Sequence, residues 1–251
     1  MRLRGRKPAR EELERQTDLV VLEPHHWRGR WHEFFGNDRP IHLEIGMGKG
    51  KFISEMCRRH PDINFIGMDI YDELLRRSSE KIRALREADA GAADNVALVR
   101  GNAEYLELMF DEGELERIYL NFSDPWPKKK HVKRRLTHPR FLLKYKRVLG
   151  PRGEIHFKTD SALLFEYSLN SFADMGIRLR NITLDLHRDG TRDDLVMTEY
   201  EMRFVGLGQP IYRLEAVVGE EALRAHQEET ERRLAVALKR GGAKEPPPHA
   251  D

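Results

Sequence analysis

Cysteine is almost absent from this sequence, since Cys57 is the only one among 251 residues. A single cysteine excludes a disulfide within the chain, and no group of cysteine and histidine residues has the spacing of zinc ligands. The sequence also lacks an apolar run near the roughly 20 residues that a membrane-spanning helix needs, and its charged N-terminus has no apolar signal-peptide core. These absences predict a cytoplasmic protein that binds no metal and no membrane.

A large net charge is missing as well, because 44 Lys and Arg residues nearly balance 42 Asp and Glu residues. A formal net charge of +2 is too small to indicate a nucleic-acid partner, so the distribution of the basic residues has to decide. Residues 128–135 read KKKHVKRR, with six Lys or Arg in eight positions. Five more basic residues crowd the start of the chain: Arg2, Arg4, Arg6, Lys7 and Arg10. Local clusters of this kind are typical of surfaces that contact nucleic-acid phosphates.

The apolar pattern predicts alternating strands and helices over most of the chain. Five short apolar runs predict strands, each followed by an amphipathic stretch that predicts a helix: 41–45, 65–68, 96–99, 118–122 and 154–157. Repeated strand-helix units form a doubly wound, mainly parallel α/β sheet. After Gly176 three strands are predicted without helices between them, and we expect them to form an antiparallel C-terminal edge: 177–186, 201–206 and 211–218.

One folded domain is predicted, because no internal repeat or linker divides the chain. Residues 1–35 are interpreted as a basic N-terminal extension and residues 36–218 as the α/β domain. Residues 219–251 start with a charged helical pattern that reaches about Arg240. They end in GGAKEPPPHAD, whose Gly, Pro and charged residues favour disorder.

A glycine-rich run lies where the first predicted strand enters its helix, since residues 44–50 read EIGMGKG. Gly46 and Gly48 let the backbone turn sharply and approach a ligand, although many such turns are only tight connections. Ligands of doubly wound sheets bind beyond the carboxyl ends of the strands. Asp69 and Asn102 follow the second and third predicted strands there, either as ligand contacts or as helix N-caps.

The acidic residue before the glycine loop narrows the kind of cofactor. Glu44 would attract the ammonium of a methionine moiety, directly or through water, and would repel the pyrophosphate of a dinucleotide. Asp69 can accept hydrogen bonds from both ribose hydroxyls, and Asn102 can recognise an adenine edge. The glycines also follow GxGxG instead of G-x-G-x-x-G, which disfavours a nicotinamide-dependent oxidoreductase.

A second candidate site follows the fourth predicted strand, where residues 121–127 read NFSDPWP. The two prolines fix φ and delay the next helix, so Asp124 and Trp126 are predicted to lie in a rigid, extended loop. The Trp126 ring offers a stacking face for a base, and Asp124 can accept bonds from guanine N1 and N2. A Pro-rich turn and a solvated charge run are each common alone, but their adjacency predicts a base pocket beside phosphate-binding charge.

These motifs resemble those of the bacterial tRNA (guanine-N7-)-methyltransferases across residues 41–216. The shared motifs occur in the order of that family: LEIGMGKG, NFSDPWPKKKHVKRR, FKTD at 157–160 and TEYE at 198–201. The resemblance implies a Rossmann-like class I methyltransferase domain over residues 36–218, with S-adenosylmethionine as cofactor. It also implies tRNA as the partner, N7 of a variable-loop guanine as the methyl acceptor, and a monomer or homodimer.

The resemblance implies roles for individual residues as well. The S-adenosylmethionine contacts are Glu44, Gly46, Gly48, Asp69, Asn102 and Asp124, of which Asp124 is also the catalytic position. The substrate contacts are Lys128, Asp160, Thr198 and Glu201, and the RNA contacts are Lys130, His131, Lys133, Arg134 and Arg135. Two positions depart from the family pattern, which often has Glu in place of Asp69 and Asp in place of Asn102.

Two other classes of protein stay open at the level of the sequence. A non-catalytic RNA-binding subunit would keep the fold, although the presence together of Asp124, Asp160 and Glu201 disfavours it. A methyltransferase for an exocyclic amine would share a Pro-containing loop, but this loop lacks a second consecutive proline. The N7 hypothesis agrees with the absence of a nucleophile and base pair, because guanine N7 carries a lone pair and no proton.

Overall fold

The computed structural model describes residues 7–89, 91–192 and 194–241, which build a sheet of eight strands. The strands are β1 (Val20–Val21), β2 (Ile41–Ile45), β3 (Asn64–Asp69), β4 (Val96–Arg100), β5 (Leu115–Asn121), β6 (Leu149–Thr159), β7 (Arg178–Thr183) and β8 (Tyr212–Val217). Their spatial order is β1-β4-β3-β2-β5-β6-β8-β7. The five strands predicted between residues 41 and 157 are confirmed, with shifted ends.

The strands from β1 to β6 pair in parallel, whereas β8 is antiparallel to both β6 and β7. The predicted fold class, a mainly parallel α/β sheet with an antiparallel C-terminal edge, is therefore confirmed. The order of the strands reverses between β2 and β5, which are neighbours in space. Ligands of open α/β sheets bind beyond the carboxyl ends of the strands at such a switch point.

Helices pack against the sheet through two clusters of buried apolar side chains. The α-helices are α1 (Lys7–Glu14), α2 (Trp31–Phe35), α3 (Lys51–Arg59), α4 (Asp72–Ala88), α5 (Leu106–Met109), α6 (Pro139–Val148), α7 (Ala162–Asp174), α8 (Glu199–Gly206) and α9 (Glu220–Gly241). Short 3₁₀ helices cover Pro24–Trp27, Ala103–Tyr105 and Lys129–Arg134. Successive side chains of a strand point to opposite faces, so Phe65 enters one cluster and Ile66 the other.

The residues before β2 are part of the packed structure. Leu13 and Leu19 are fully buried, and β1 pairs with β4 at the edge of the sheet. Trp31 is also fully buried, and its indole N–H donates to the carbonyl oxygen of Met109 over 2.9 Å. The domain boundary predicted between residues 35 and 36 therefore does not coincide with an edge of the core.

One predicted strand is wrong, because residues 201–206 lie in helix α8. The side-chain oxygen of Thr198 accepts a hydrogen bond from the Glu201 N–H at 3.0 Å. In return the Glu201 carboxylate accepts one from the Thr198 N–H at 3.3 Å. This reciprocal capping box starts a helix that the apolar spacing alone does not reveal. The other two strands predicted after Gly176 are present as β7 and β8.

The charged helix predicted from Glu220 to about Arg240 is confirmed as α9. The tail that was predicted to be disordered lies outside the described residues from 242 onward, as do Arg2, Arg4 and Arg6. Among the helices of the described ranges, none is both long and apolar enough to cross a membrane.

Candidate functional site

The glycine loop between β2 and α3 folds against the end of β3. Gly46 and Gly48 have φ angles of +77° and +57°, a left-handed conformation that glycine adopts at little cost. The Gly46 N–H donates to the Met68 carbonyl oxygen at 2.8 Å, and the Gly48 N–H donates to Oδ2 of Asp69 at 3.2 Å. The end of β3 is thereby joined to the glycine loop that follows β2.

Glu44 lies near the end of β2 and is only 1% exposed. Its Oε1 accepts a hydrogen bond from Nδ2 of Asn121 at 2.9 Å, whereas its buried Oε2 has no hydrogen-bond partner among the residues that the structure describes. Burial raises the pKa of Glu44 to about 7, against the opposing effects of the Asn121 bond and the Lys158 charge. A buried acceptor without a donor is costly, and a nearby cation would stabilise the ionised form of this carboxylate.

Asp69 and Asn102 both make local capping bonds. Oδ1 of Asp69 accepts the N–H groups of Ile70 and Tyr71 at 2.7 and 3.1 Å. Burial raises the pKa of Asp69, and these backbone donors oppose that rise. Oδ1 of Asn102 accepts the Glu104 N–H at 3.0 Å and caps a 3₁₀ helix, which leaves its amide nitrogen to donate to a ligand. Each carboxylate or amide oxygen has two lone pairs, so Asp69 keeps one accepting position, on Oδ2, and Asn102 keeps one on Oδ1.

A cleft of about 490 Å³ opens at the switch point between β2 and β5. Four residues of the predicted cofactor site line it together: Gly46, Asp69, Asn102 and Asp124. Its apolar lining includes Ile45, Met68, Leu74 and Phe141, and Tyr71 and Tyr200 contribute aromatic rings. The volume lies within the range of sites for small ligands. Glu44 and Gly48 are not among the lining residues, so they would act from behind the glycine loop.

The loop that carries Asp124 is irregular instead of extended, which corrects the conformation predicted for it. Residues 123–127 belong to no helix or strand. Phe122 and Trp126 have φ angles of +53° and +41°, which cost a non-glycine residue on the order of 1 kcal/mol or more. Asp124 is exposed and lines the cleft, as does the half-buried Trp126. Rigidity in this loop therefore has to come from contacts outside it.

Arg135 provides such contacts and is only 5% exposed. Its Nε donates to the Pro125 carbonyl oxygen at 3.0 Å, and its Nη2 donates to the Trp126 carbonyl oxygen at 3.2 Å. The guanidinium carbon also lies 4.4 Å from the ring centroid of Tyr167. Two of its five N–H groups are thus bonded to the loop and little of the side chain is exposed, so this arrangement does not favour the RNA contact predicted for Arg135.

The other four predicted RNA-contacting residues lie in the 3₁₀ helix Lys129–Arg134. Lys130, Lys133 and Arg134 are exposed, and His131 is half-buried. The Arg134 guanidinium lies 3.7 Å from the ring centroid of Trp126, and the His131 ring lies 5.6 Å from it. Arg134 and Trp126 both line the cleft, so the basic helix continues directly into it.

Glu201, predicted to contact the substrate, is fully buried. Its Oε2 forms an ion pair with Nζ of Lys158, and its Oε1 lies 2.9 Å from Nε2 of His187. Lys158 also donates to the Val196 carbonyl oxygen at 3.0 Å. Glu201 has no exposed surface and each of its oxygens has a partner within the protein, so its predicted contact with the substrate stays a prediction that this arrangement does not favour. The ion-pair partner of Glu201 could have been suspected from the sequence, because the lysine of FKTD is a charged residue within an apolar strand.

The remaining predicted substrate contacts surround the cleft without lining it. Thr198 is the N-cap of α8, and Asp160 is half-buried directly after β6. Lys128 is exposed at the start of the basic 3₁₀ helix. Lys128 adjoins the basic helix in sequence, and Thr198 lies two residues before Tyr200, which lines the cleft.

One group of possible metal ligands lies within the sheet, where oxygen or nitrogen atoms of Glu154, His156 and Glu215 fall within 4.8 Å of one another. Burial acts to raise the pKa of Glu154 and of Glu215, but neighbouring histidine and arginine groups lower both to about 2. Three guanidinium groups already pair with these carboxylates: Arg117, Arg180 and Arg213. The group is therefore an internal ion-pair network and not a cation site.

Comparisons with known proteins cover the same part of the chain. A family model described as "Putative methyltransferase" matches residues 38–214. The tRNA (guanine-N(7)-)-methyltransferase of Bacillus velezensis is 48% identical over 215 residues, which are 86% of this chain and 96% of that protein. The protein of the same name from Streptococcus equi subsp. zooepidemicus is 52% identical over 216 residues, or 86% of this chain and 99% of its own length.

Solved structures share the fold at low sequence identity. The 16S rRNA (adenine(1408)-N(1))-methyltransferase from Catenulisporales acidiphilia has a TM-score of 0.56 and 18% identity, and the match covers 80% of this chain and 95% of that one. The 16S rRNA methyltransferase KamB has a TM-score of 0.57 and 14% identity over 76% of this chain and 93% of its own. At such identities the similarity concerns the fold alone.

Proposed function

This chain belongs to the tRNA (guanine-N7-)-methyltransferase family, and we propose that it transfers a methyl group from S-adenosylmethionine to N7 of a guanine in tRNA. The observation that carries the proposal is the cleft, in which Gly46, Asp69, Asn102 and Asp124 meet beside an exposed basic helix. The fold supplies the cofactor end of this cleft, and the basic helix supplies the RNA end.

The residues present fit S-adenosylmethionine. The unpartnered Oε2 of Glu44 suits the cationic ammonium of the methionine moiety. Asp69 lines the cleft at the end of β3, where the remaining lone pair of its Oδ2 can accept a ribose hydroxyl. Asn102 would donate to the adenine from its amide nitrogen, and Gly46 lets the backbone approach the ligand.

The chemistry needs alignment more than proton transfer. When bound, S-adenosylmethionine would supply an electrophilic methyl group to the N7 lone pair, and its sulfur would keep the electrons of the broken bond. No proton moves in this step, so no general base is required. Positive charge develops on the guanine ring, and Asp124, exposed in the cleft, would stabilise it electrostatically.

The tRNA would lie along the basic 3₁₀ helix with its target base in the cleft. Lys130, Lys133 and Arg134 would contact phosphates, and Lys128 and Asp160 would contact the nucleotide nearer the cleft. Thr198 and Glu201 would act indirectly, without contacting the substrate. They fix the start of α8 and therefore the position of Tyr200. The variable-loop guanine and a cytoplasmic location belong to the same proposal.

Direct attack by N7 makes a sharp test available. A tRNA transcript in which 7-deazaguanosine replaces guanosine keeps its base pairing but carries carbon at the reacting position. We expect no methyl incorporation into this transcript and full incorporation into the guanosine transcript, while both compete equally for binding. Equal methylation of the two transcripts would exclude N7 as the acceptor.

Binding of S-adenosylmethionine should release a proton near pH 6.5. Burial raises the pKa of Glu44 to about 7, so this group is largely protonated there, and a bound ammonium would lower that pKa and expel the proton. Calorimetry in buffers of different ionisation enthalpy should count up to about one proton for the unmodified protein and close to zero for Glu44→Gln. As a control, Glu104→Gln removes a different carboxylate of the cleft and should leave the proton count unchanged. Equal counts for the unmodified protein and Glu44→Gln would place the ammonium elsewhere.

Loss of the basic helix should weaken tRNA binding and its dependence on salt. Replacing Lys129, Lys130 and Arg134 together by alanine should reduce the slope of log affinity against log salt by about two to three. Filter binding from 50 to 300 mM salt measures this slope.

A matched control removes three basic residues near the amino ends of the parallel strands, on the side of the sheet away from the cleft: Lys146, Arg152 and Arg178. These side chains are exposed and the variant loses the same formal charge. Its affinity should change little and its slope not at all. If the two triple variants behave alike, the basic helix contributes only net charge and is not the RNA-binding face.

A further inference from the structure

Two adjacent arginines at the end of the basic helix have opposite environments. Arg134 is exposed and lies over the Trp126 ring, with 3.7 Å between the guanidinium carbon and the ring centroid. Arg135 is 5% exposed and donates to two backbone carbonyl groups of the Asp124 loop. The basic run looks uniform in the sequence, but it contains one exposed arginine and one buried arginine that is bonded to the backbone.

The prolines of the loop explain why an arginine is needed there. Pro125 and Pro127 carry no N–H group, so this stretch has few donors of its own and is held best through its carbonyl oxygens. Arg135 supplies two donors from one rigid fork, over 3.0 Å to Pro125 and 3.2 Å to Trp126. A lysine has a single ammonium and cannot reproduce this planar arrangement.

The position of the fork is itself fixed from outside the loop. The Arg135 guanidinium packs on the ring of Tyr167 in α7, 4.4 Å from its centroid. It thereby connects the loop to a helix of the domain. Trp126 keeps a φ angle of +41°, a conformation that persists only where surrounding contacts hold it. The two accepting carbonyl groups belong to the two residues that directly follow Asp124.

We propose that Arg135 is a positioning residue that fixes Asp124 for methyl transfer and makes no contact with tRNA. The inference rests on the proposed function and deepens it by separating the alignment of the reaction from the binding of RNA within one basic run. A displacement of about 1 Å at the reacting groups can cost on the order of 100-fold in rate. Arg135 would therefore affect the rate of the methyl transfer step and not the affinity for tRNA.

Arg135→Lys tests this separation, because it keeps the charge and removes the fork. With saturating tRNA and S-adenosylmethionine, the single-turnover rate should fall by about 10- to 100-fold. The Kd for tRNA should stay within about twofold, and the salt slope should not change. Arg134→Ala is the contrasting variant, and it should raise the Kd for tRNA and lower the slope by about one.

Chemical rescue adds a readout that a general structural role would not give. Methylguanidinium should bind in the space left by Arg135→Ala and restore much of the lost single-turnover rate. Sodium chloride at the same ionic strength should not restore it. Urea unfolding of each variant shows whether the domain still folds cooperatively.

Several results would overturn the proposal. Weaker tRNA binding with a lower salt slope and a normal rate for Arg135→Lys would make Arg135 a phosphate contact. Normal rate and affinity for Arg135→Lys would show that the loop is held by other contacts. A slow Arg135→Ala variant that methylguanidinium does not restore would contradict the guanidinium bonds to the loop as the cause of the loss. Loss of cooperative unfolding in both Arg135 variants would make the residue a general folding element. If the unmodified protein forms no 7-methylguanosine, the proposed function itself is contradicted. If the unmodified protein is active and Arg135→Lys has a normal rate, only the role proposed for Arg135 is contradicted.

Discussion

Asp124→Ala should transfer the methyl group about two to three powers of ten more slowly than the unmodified protein under single-turnover conditions. This is the usual loss when one preorganised electrostatic group is removed from a reacting centre. Asp124 is exposed in the cleft at the switch point of the sheet, in a loop whose backbone is held by Arg135. The rate should be measured with saturating tRNA and cofactor, since Asp124 is also a proposed cofactor contact.

Two further variants give this experiment its meaning. Asp62→Ala removes an exposed carboxylate just before the amino end of β3, away from the cleft. It should change the rate by less than about twofold. Asp124→Asn keeps the shape and the accepting oxygen but removes the charge. A rate as low as that of Asp124→Ala would indicate charge stabilisation, whereas substantial recovery would indicate that Asp124 orients the base. Near-normal transfer by Asp124→Ala would remove this residue from the catalytic role.

Lys158→Met should be the most destabilising substitution considered, and we expect it to lower the free energy of unfolding by about 3–5 kcal/mol. Lys158 and Glu201 form a buried ion pair in which Glu201 is fully inaccessible to solvent. Removal of the lysine leaves a carboxylate inside the protein with His187 and a backbone N–H as its other partners. Urea unfolding monitored by tryptophan fluorescence measures the loss.

The double variant Lys158→Met, Glu201→Gln distinguishes a lost pair from a lost side chain. Glutamine keeps the capping box at the start of α8 and carries no charge, so the uncompensated charge disappears. We expect the double variant to recover at least half of the stability that Lys158→Met loses. A double variant that is less stable than Lys158→Met would contradict a buried charge as the cause. Recovered stability without recovered methyl transfer would show that the pair also positions α8 beside the cleft.

The sequence predicts the fold and much of the cofactor site because both depend on local pattern. Each of three features can be recognised from a predicted strand and the residues that end or follow it. They are the glycines with positive φ after β2, the carboxylate at the end of β3 and the amide after β4. The carboxyl ends of parallel strands meet at one edge, so Gly46, Asp69, Asn102 and Asp124 converge without any knowledge of tertiary contacts.

The features that the sequence does not predict depend on contacts across the fold. Helix α8 begins at a capping box between Thr198 and Glu201. The spacing of apolar residues at 201–206 instead predicts a strand. The partner of Glu201 is Lys158, 43 positions away in the chain. Arg135 looks like its basic neighbours in the sequence, but in the structure it is buried, packs on Tyr167 and is bonded to Pro125 and Trp126. In each case burial decides the role of a charged residue, and burial is not visible in composition or period.

The measurement that tests the proposed function most directly uses unmodified tRNA and S-adenosylmethionine with a labelled methyl group. After incubation with the purified protein the RNA is digested, and the labelled nucleoside is identified by mass spectrometry. We expect the label in 7-methylguanosine. Label in another nucleoside would contradict guanine N7 as the acceptor. No label, despite demonstrated binding of tRNA and cofactor, would instead indicate a non-catalytic RNA-binding subunit.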